Sequence, residues 1–246
     1  GGRYRINVLE PRMWSAEDKE PDPEAPAAFQ SGSVLSQHIA FLRDFFRSYK
    51  PFTEAEIDTI EIMLGRLYDS RGLRDDTDYS RLSPRDYPIL SDLYDQMDAE
   101  YQRVRTGSGG ELYTPELLRS ACLGLHSMCK GAGAKFFNGH TNIHDTRLIT
   151  FGVKDLMEGG KNIKDAMLFN VLSYINHALI AGGNTAGIFE ELHVFLSNPV
   201  AVSYIRSAMK RVRKRDSLIG LASQKIEDFL LPGVAEMTKP LFSIPA

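Results

Sequence analysis

From residue 33 to about residue 131, apolar residues recur three and four apart, the spacing that lines one face of a helix. Leu35, Ile39, Leu42, Phe46 and Tyr49 form one stripe, closed by Pro51. Ile57, Ile60, Leu64, Leu67 and Tyr68 form a second, opened by a Thr53/Glu56 capping box and ended at Gly72. A third carries Leu90, Leu93, Tyr94, Met97 and Tyr101 after Pro88, and a fourth carries Leu117, Leu118, Ala121, Cys122, Leu125, Met128 and Cys129 after Thr114 and Pro115. With no convincing strand between them, these stripes predict an all-α block.

The pattern differs on either side. Arg5 to Leu9 reads as a short strand ended by Pro11, and residues 15–32, with Pro21, Pro23 and Pro26 and few large apolar groups, read as a linker. After Gly131-Ala132-Gly133, strand-like runs at Leu148–Val153, Thr185–Phe189, Leu218–Ala222 and Leu241–Ile244 are separated by helical patterns. One runs from Ile163 to Leu179 and stops at Gly182-Gly183; another is capped by Asn198-Pro199 and bears Val202, Ile205, Met209 and Val212. Strands joined by crossover helices form mostly parallel sheets. The expected architecture is α/β: residues 1–32 supply a first core strand and a linker, residues 33–131 an inserted all-α domain, and residues 132–246 the remainder of the core.

Composition narrows the function classes. The chain has 246 residues, 43% of them apolar, and a net charge of −3, enough for a full core and too little charge to draw the whole molecule onto nucleic acid or an anionic bilayer. Charge is instead local. Residues 53–100 hold 13 Asp and Glu against 5 Arg, which reads as a solvated acidic surface or a docking face for a basic partner. Cys122 and Cys129 sit inside an apolar helical pattern and are expected to be buried thiols in a reducing compartment. No run approaches the roughly 20 apolar residues of a membrane-spanning helix. The Gly1-Gly2 opening, and the Ile244-Pro245-Ala246 end just behind a strand-like run, read as cuts through a larger fold.

Ligands of parallel sheets bind beyond the carboxyl ends of the strands, so those ends are where chemistry is expected. Glu190 and Glu191 follow one strand, and such a pair suits a nucleotide hydrolase, with one carboxylate to hold the Mg²⁺ shell and the other to polarise the attacking water. Adjacent carboxylates also simply favour a helix start. Gln224 follows the next strand, either as an amide that positions water and senses a terminal phosphate or as one that satisfies loop backbone.

Six cations lie between Arg206 and Arg215, with Arg206, Lys210 and Arg213 on one helical face. They are open to three readings: a solvated helix end, phosphate chemistry in a neighbouring subunit, or contact with a DNA backbone. Gly107-Ser108-Gly109-Gly110 lacks the Lys-Ser/Thr of a phosphate loop and reads as a flexible connection. His140 and His144 lack the partners of a zinc site.

Several segments together resemble the conjugative-transfer ATPases of type IV secretion systems. Phe137-Asn138-Gly139-His140-Thr141-Asn142-Ile143, then Arg147 through Leu156, resemble that family's F-N-x-x-T-N-I segment and the strand after it. Ile188-Phe189-Glu190-Glu191-Leu192-His193 resembles its Walker B segment, Lys210 to Lys214 its Arg-Lys motif, and Leu221-Ala222-Ser223-Gln224 its strand ending in Thr-Gln. The resemblance implies a RecA-like P-loop core with an inserted helical domain. It makes Glu191 the catalytic carboxylate, Glu190 the residue associated with Mg²⁺ through water, Gln224 the γ-phosphate sensor, and Arg213 and Lys214 cations acting across subunits of a hexamer.

ATP and Mg²⁺ are the implied substrate and cofactor. The implied setting is cytoplasmic, peripheral to the inner membrane and beside other secretion components, with possible DNA contact through Arg206 to Arg215. Two features depart from the family. Glu190 stands where the family has Asp, and no G-x-x-x-x-G-K-[ST] occurs in the chain, so these 246 residues alone are expected to be inactive. A catalytically silent scaffold of the secretion complex and a related DNA-pumping ring ATPase are the alternatives.

Overall fold

A computed structural model describes residues 4–14, 24–30, 32–109, 112–143, 147–152, 160–196, 198–230 and 234. The chain divides into two compact units, one of Gly1–Pro11 with His38–Val171 and the other of Arg12–Gln37 with Leu172–Ala246.

The first unit is helical among the described residues. Helices α1 (Val34–Tyr49, from His38 on), α2 (Glu54–Ser70), α3 (Leu90–Arg105) and α4 (Pro115–Cys129) lie where the apolar stripes place them. The α2 capping box is formed: Thr53 Oγ1 accepts from Glu56 N, and Thr53 N donates to Glu56 Oε2 at 2.7 Å. Thr114 caps α4 with Pro115 in its first turn, while α3 starts at Leu90, after Ile89 N has donated to Asp92 Oδ2. Helices α2, α3 and α4 pack on one another, and α1 meets the short helix α5 (Ala134–Phe137) through edge-on contacts of Phe45 and Tyr49 with Phe137. Both cysteines are buried and free, and burial pushes the Cys122 thiol up to about 11 and the Cys129 thiol up to about 12, so neither is a thiolate at neutral pH.

Two expected strands of this unit are not strands. Arg5 to Leu9 has no ladder partner among the described residues. Side chains take its backbone groups instead: Asn142 Oδ1 accepts from Arg5 N, Thr141 Oγ1 from Asn7 N, and Asn170 Nδ2 and Tyr68 Oη donate to the carbonyls of Ile6 and Leu9. Amides and hydroxyls that satisfy a backbone this way compete with sheet pairing. Leu148 to Gly152 is likewise irregular, and Val153 to Leu156 lie outside the described residues.

The second unit holds the α/β part. It takes helix α6 (Lys161–His177) from Leu172 on, then a π-helical turn (Ala178–Gly182), strand β1 (Ala186–Phe189), short helix α7 (His193–Leu196), helix α8 (Pro199–Val212), a 3₁₀ turn (Arg213–Arg215) and strand β2 (Leu218–Leu221). Asn198 Oδ1 accepts from Val200 N and Ala201 N to cap α8, with Pro199 in the first turn. The two strands pair in parallel with Ala186 opposite Leu218 and Phe189 opposite Leu221, joined by the α8 crossover. Gly183 enters β1 at φ +63°, where a Cβ would stand 3.0 Å from Arg215 O; glycine is needed on both counts.

Alternation sets the ladder's faces. Gly187 and Phe189 turn inward, and the core beneath joins Leu179, Ile180 and Val212 with Met13, Ile175 and Ile219. Ile188 and Leu218 on the other face are 61% and 53% exposed. The two parallel strands are as expected; the run at Leu241–Ile244 lies outside the described residues.

The proline-rich segment holds more core than its composition suggests. Phe29, on a 3₁₀ turn (Ala27–Phe29), is buried against Trp14 and Tyr204, with ring centroids 5.4 Å away in each case. Ala25 and Ala28 of the same segment are buried as well.

His177 is half-buried in this unit, and its Nδ1 accepts from Met13 N at 2.9 Å. Burial, with a smaller contribution from the Arg12 charge, pulls its pKa down to about 4. The neutral ring is therefore the folded form, while the unfolded ring takes a proton below about pH 6.5. Stability from this group is complete above that pH and falls as pH drops toward 4. Urea denaturation at pH 7.5 and pH 5 should show a loss of about 2 kcal/mol from this residue. His177→Asn, which keeps an acceptor for Met13 N, should lack that part of the slope; an unchanged slope would show that His177 is not its source.

Candidate active site at the carboxyl ends of the strands

Because β1 and β2 are parallel neighbours, their carboxyl ends bring together residues more than thirty positions apart in the chain. Ala222 N donates to Phe189 O at 2.8 Å and Leu192 N to Ala222 O at 3.0 Å, which extends the pairing one step past the ladder. At that edge the backbone turns sharply, with Glu191 in the left-handed region at φ +54°, a conformation rare outside glycine. The turn sends Glu191 toward β2. Gln224 Nε2 donates to its Oε1 at 2.6 Å.

The sequence-predicted carboxylate and amide thus form one pair. His193, which no sequence argument singled out, stands on the other side, with Nδ1 3.2 Å from Glu191 Oε2. A left-handed residue between a strand and a short helix is the signal that points to it, and it is visible only in the backbone.

Glu190 is exposed and, among the described residues, makes no hydrogen bond or ion pair. A carboxylate free at a strand end beside a second one is an oxygen donor set that suits a hard divalent cation such as Mg²⁺. Ser223 Oγ donates to Asp228 Oδ2 and ties the loop after β2 to the 3₁₀ turn Ile226–Leu230.

Arg213 and Lys214 are not part of this cluster. They are exposed in the 3₁₀ turn that precedes β2, at the amino end of the ladder, where Asn184 N donates to Arg215 O at 2.9 Å. Four ladder residues separate the two ends, roughly 13 Å of strand. Arg211 departs from the expected cationic patch. It is buried, with Nη1 donating to Ser207 O and its guanidinium 4.9 Å above the Phe29 ring, so its charge serves the core. Arg206 pairs with Glu24 at 3.4 Å. His140 Nδ1 contacts Pro84 O at 2.9 Å, and His144 lies outside the described residues.

The two parallel strands and the helix between them form a β-α-β unit, with a carboxylate and an amide paired where the strands end. No protein-family description and no curated protein matches the chain. Among solved structures, VirB4 of Thermoanaerobacter pseudethanolicus is similar: the identity is 26%, the TM-score 0.77, and the match covers 99% of this chain. The chain spans 60% of the VirB4 chain it matches. The chain is therefore VirB4-like over nearly its whole length, helices included. Among the described residues, no helix is long and apolar enough to cross a membrane.

Proposed function

We propose that this chain is part of an ATPase motor of a type IV secretion or conjugation machine, and that Glu191 and Gln224 are its water-side catalytic pair. The hydrogen bond from Gln224 Nε2 to Glu191 Oε1, at 2.6 Å across two parallel strand ends, carries the reading. The VirB4 likeness and the collinear motifs support it.

In this reading Glu191 accepts a proton from the water that attacks the γ-phosphate of ATP, and Gln224 reports the presence of that phosphate to the carboxylate. Glu190 would hold Mg²⁺ through water. When bound, the ion would neutralise charge on the phosphates. The cradle for the β- and γ-phosphates is a G-x-x-x-x-G-K-[ST] loop contributed from outside these 246 residues. The RecA-like core, the hexamer, and the secretion partners at the inner membrane belong to the same proposal.

DNA contact through Arg206 to Arg215 is a narrower possibility than the count of charges implies, because Arg211 is buried. Phosphate release measured side by side on the intact protein and on the 246-residue chain tests the proposal. Mg²⁺-dependent turnover is expected from the intact protein only, and Gln224→Ala in it should lose at least about tenfold. An intact protein without ATP turnover would refute the reading.

A further inference from the structure

Glu191 has two carboxylate oxygens, and Gln224 accounts for one of them. The other, Oε2, stands 3.2 Å from His193 Nδ1, and both side chains are partly open to solvent, at 41% and 50% exposure. An ionised carboxylate only accepts hydrogen bonds, so the approach is attractive only with a hydrogen on Nδ1. In water the neutral imidazole ring prefers its hydrogen on Nε2, so a neutral His193 paired in this way holds the less common tautomer. The backbone brings both residues into one turn. Glu191 is held left-handed, Val194 N donates to Glu191 O at 2.9 Å, and His193 opens the short helix that follows.

Resting on the ATPase reading above, we infer that His193 is a positioning residue for the Glu191 carboxylate. It donates from Nδ1 to Oε2 while Gln224 donates to Oε1, and the two donors on opposite oxygens fix the plane of the carboxylate. A carboxylate gripped on one side only rotates about its last bond. Gripped on both sides, it keeps a lone pair aimed at a single water position, and orientation of that kind decides the efficiency of a general base. His193 touches neither substrate nor water in this scheme; it acts through Glu191.

Two measurements test the inference. The first needs no nucleotide: ¹⁵N-resolved NMR of the imidazole rings in the 246-residue chain at pH 8 should show His193 with its hydrogen on Nδ1, reverting to Nε2 in Glu191→Ala. An Nε2–H tautomer in the unsubstituted chain would overturn the pairing.

The second uses the intact protein. His193→Ala should lower kcat for ATP about tenfold with KM unchanged. His193→Asn, whose amide nitrogen falls where Nδ1 stands, should restore most of the rate; His193→Gln, whose amide falls where Nε2 stands, should not. Equal loss in all three variants would mean that the ring and not the donor matters, and would overturn the inference. Turnover lost in Glu191→Gln but untouched by His193→Ala would overturn it alone. Turnover that survives Glu191→Gln would overturn the ATPase reading and this inference together.

Discussion

In the intact protein, Glu191→Gln is expected to abolish ATP turnover while ATP stays bound. The substitution leaves shape and volume almost unchanged, and its carbonyl oxygen still accepts from Gln224 Nε2, so that contact persists while the amide nitrogen replaces the oxygen that faces His193. What disappears is the charge that draws a proton from water, an effect worth about 10²- to 10⁴-fold in general base catalysis. Glu190→Gln makes the contrast. Glu190 is exposed and takes no part in the Gln224 contact, so its loss should weaken Mg²⁺ dependence and nucleotide retention instead of trapping ATP. Steady-state hydrolysis and retained nucleotide, measured on both variants, separate the roles. Normal hydrolysis by Glu191→Gln beside a dead Glu190→Gln would exchange them.

The pair at the centre of this expectation is legible in the amino-acid sequence for a physical reason. Short apolar runs at Thr185–Phe189 and Leu218–Ala222, with a helix between, leave a parallel crossover as the economical connection, and parallel neighbours place their following residues at one edge. Helices are legible in the same way, because stripes such as Ile57, Ile60, Leu64 and Leu67 need only local period and caps.

Features that depend on tertiary partners are not legible in this way. Arg5 to Leu9 alternates like a strand, yet Asn142, Thr141 and Asn170 take its backbone groups, and all three lie more than 130 residues away. Phe29 is a lone ring in a linker by sequence, and in the fold Trp14, Tyr204 and Arg211 enclose it. The same contact removes Arg211 from a patch that a count of charges includes. His193 joins the site only because Glu191 turns left-handed, a backbone choice that its residue type argues against.

Arg213→Ala should cost the intact protein nearly all of its turnover, on the order of 10³- to 10⁵-fold, if the arginine stabilises charge on a neighbouring subunit's transferring phosphate. Its position supports action across a boundary. Arg213 is exposed at the amino end of the ladder, whereas Glu191 and Gln224 stand at the carboxyl end, so roughly 13 Å of strand lies between the cation and the pair in its own subunit. A contact with the DNA backbone predicts otherwise: basal hydrolysis would survive Arg213→Ala, and the salt dependence of DNA binding would become shallower by about one unit. Mixing inactive subunits decides between them. An Arg213→Ala subunit keeps a complete water-side pair, and a Glu191→Gln subunit keeps its arginine. In a mixed ring, the first can be served by the second. Hydrolysis that reappears on mixing establishes the role in trans, while rings shown to be mixed and still inactive would rule it out.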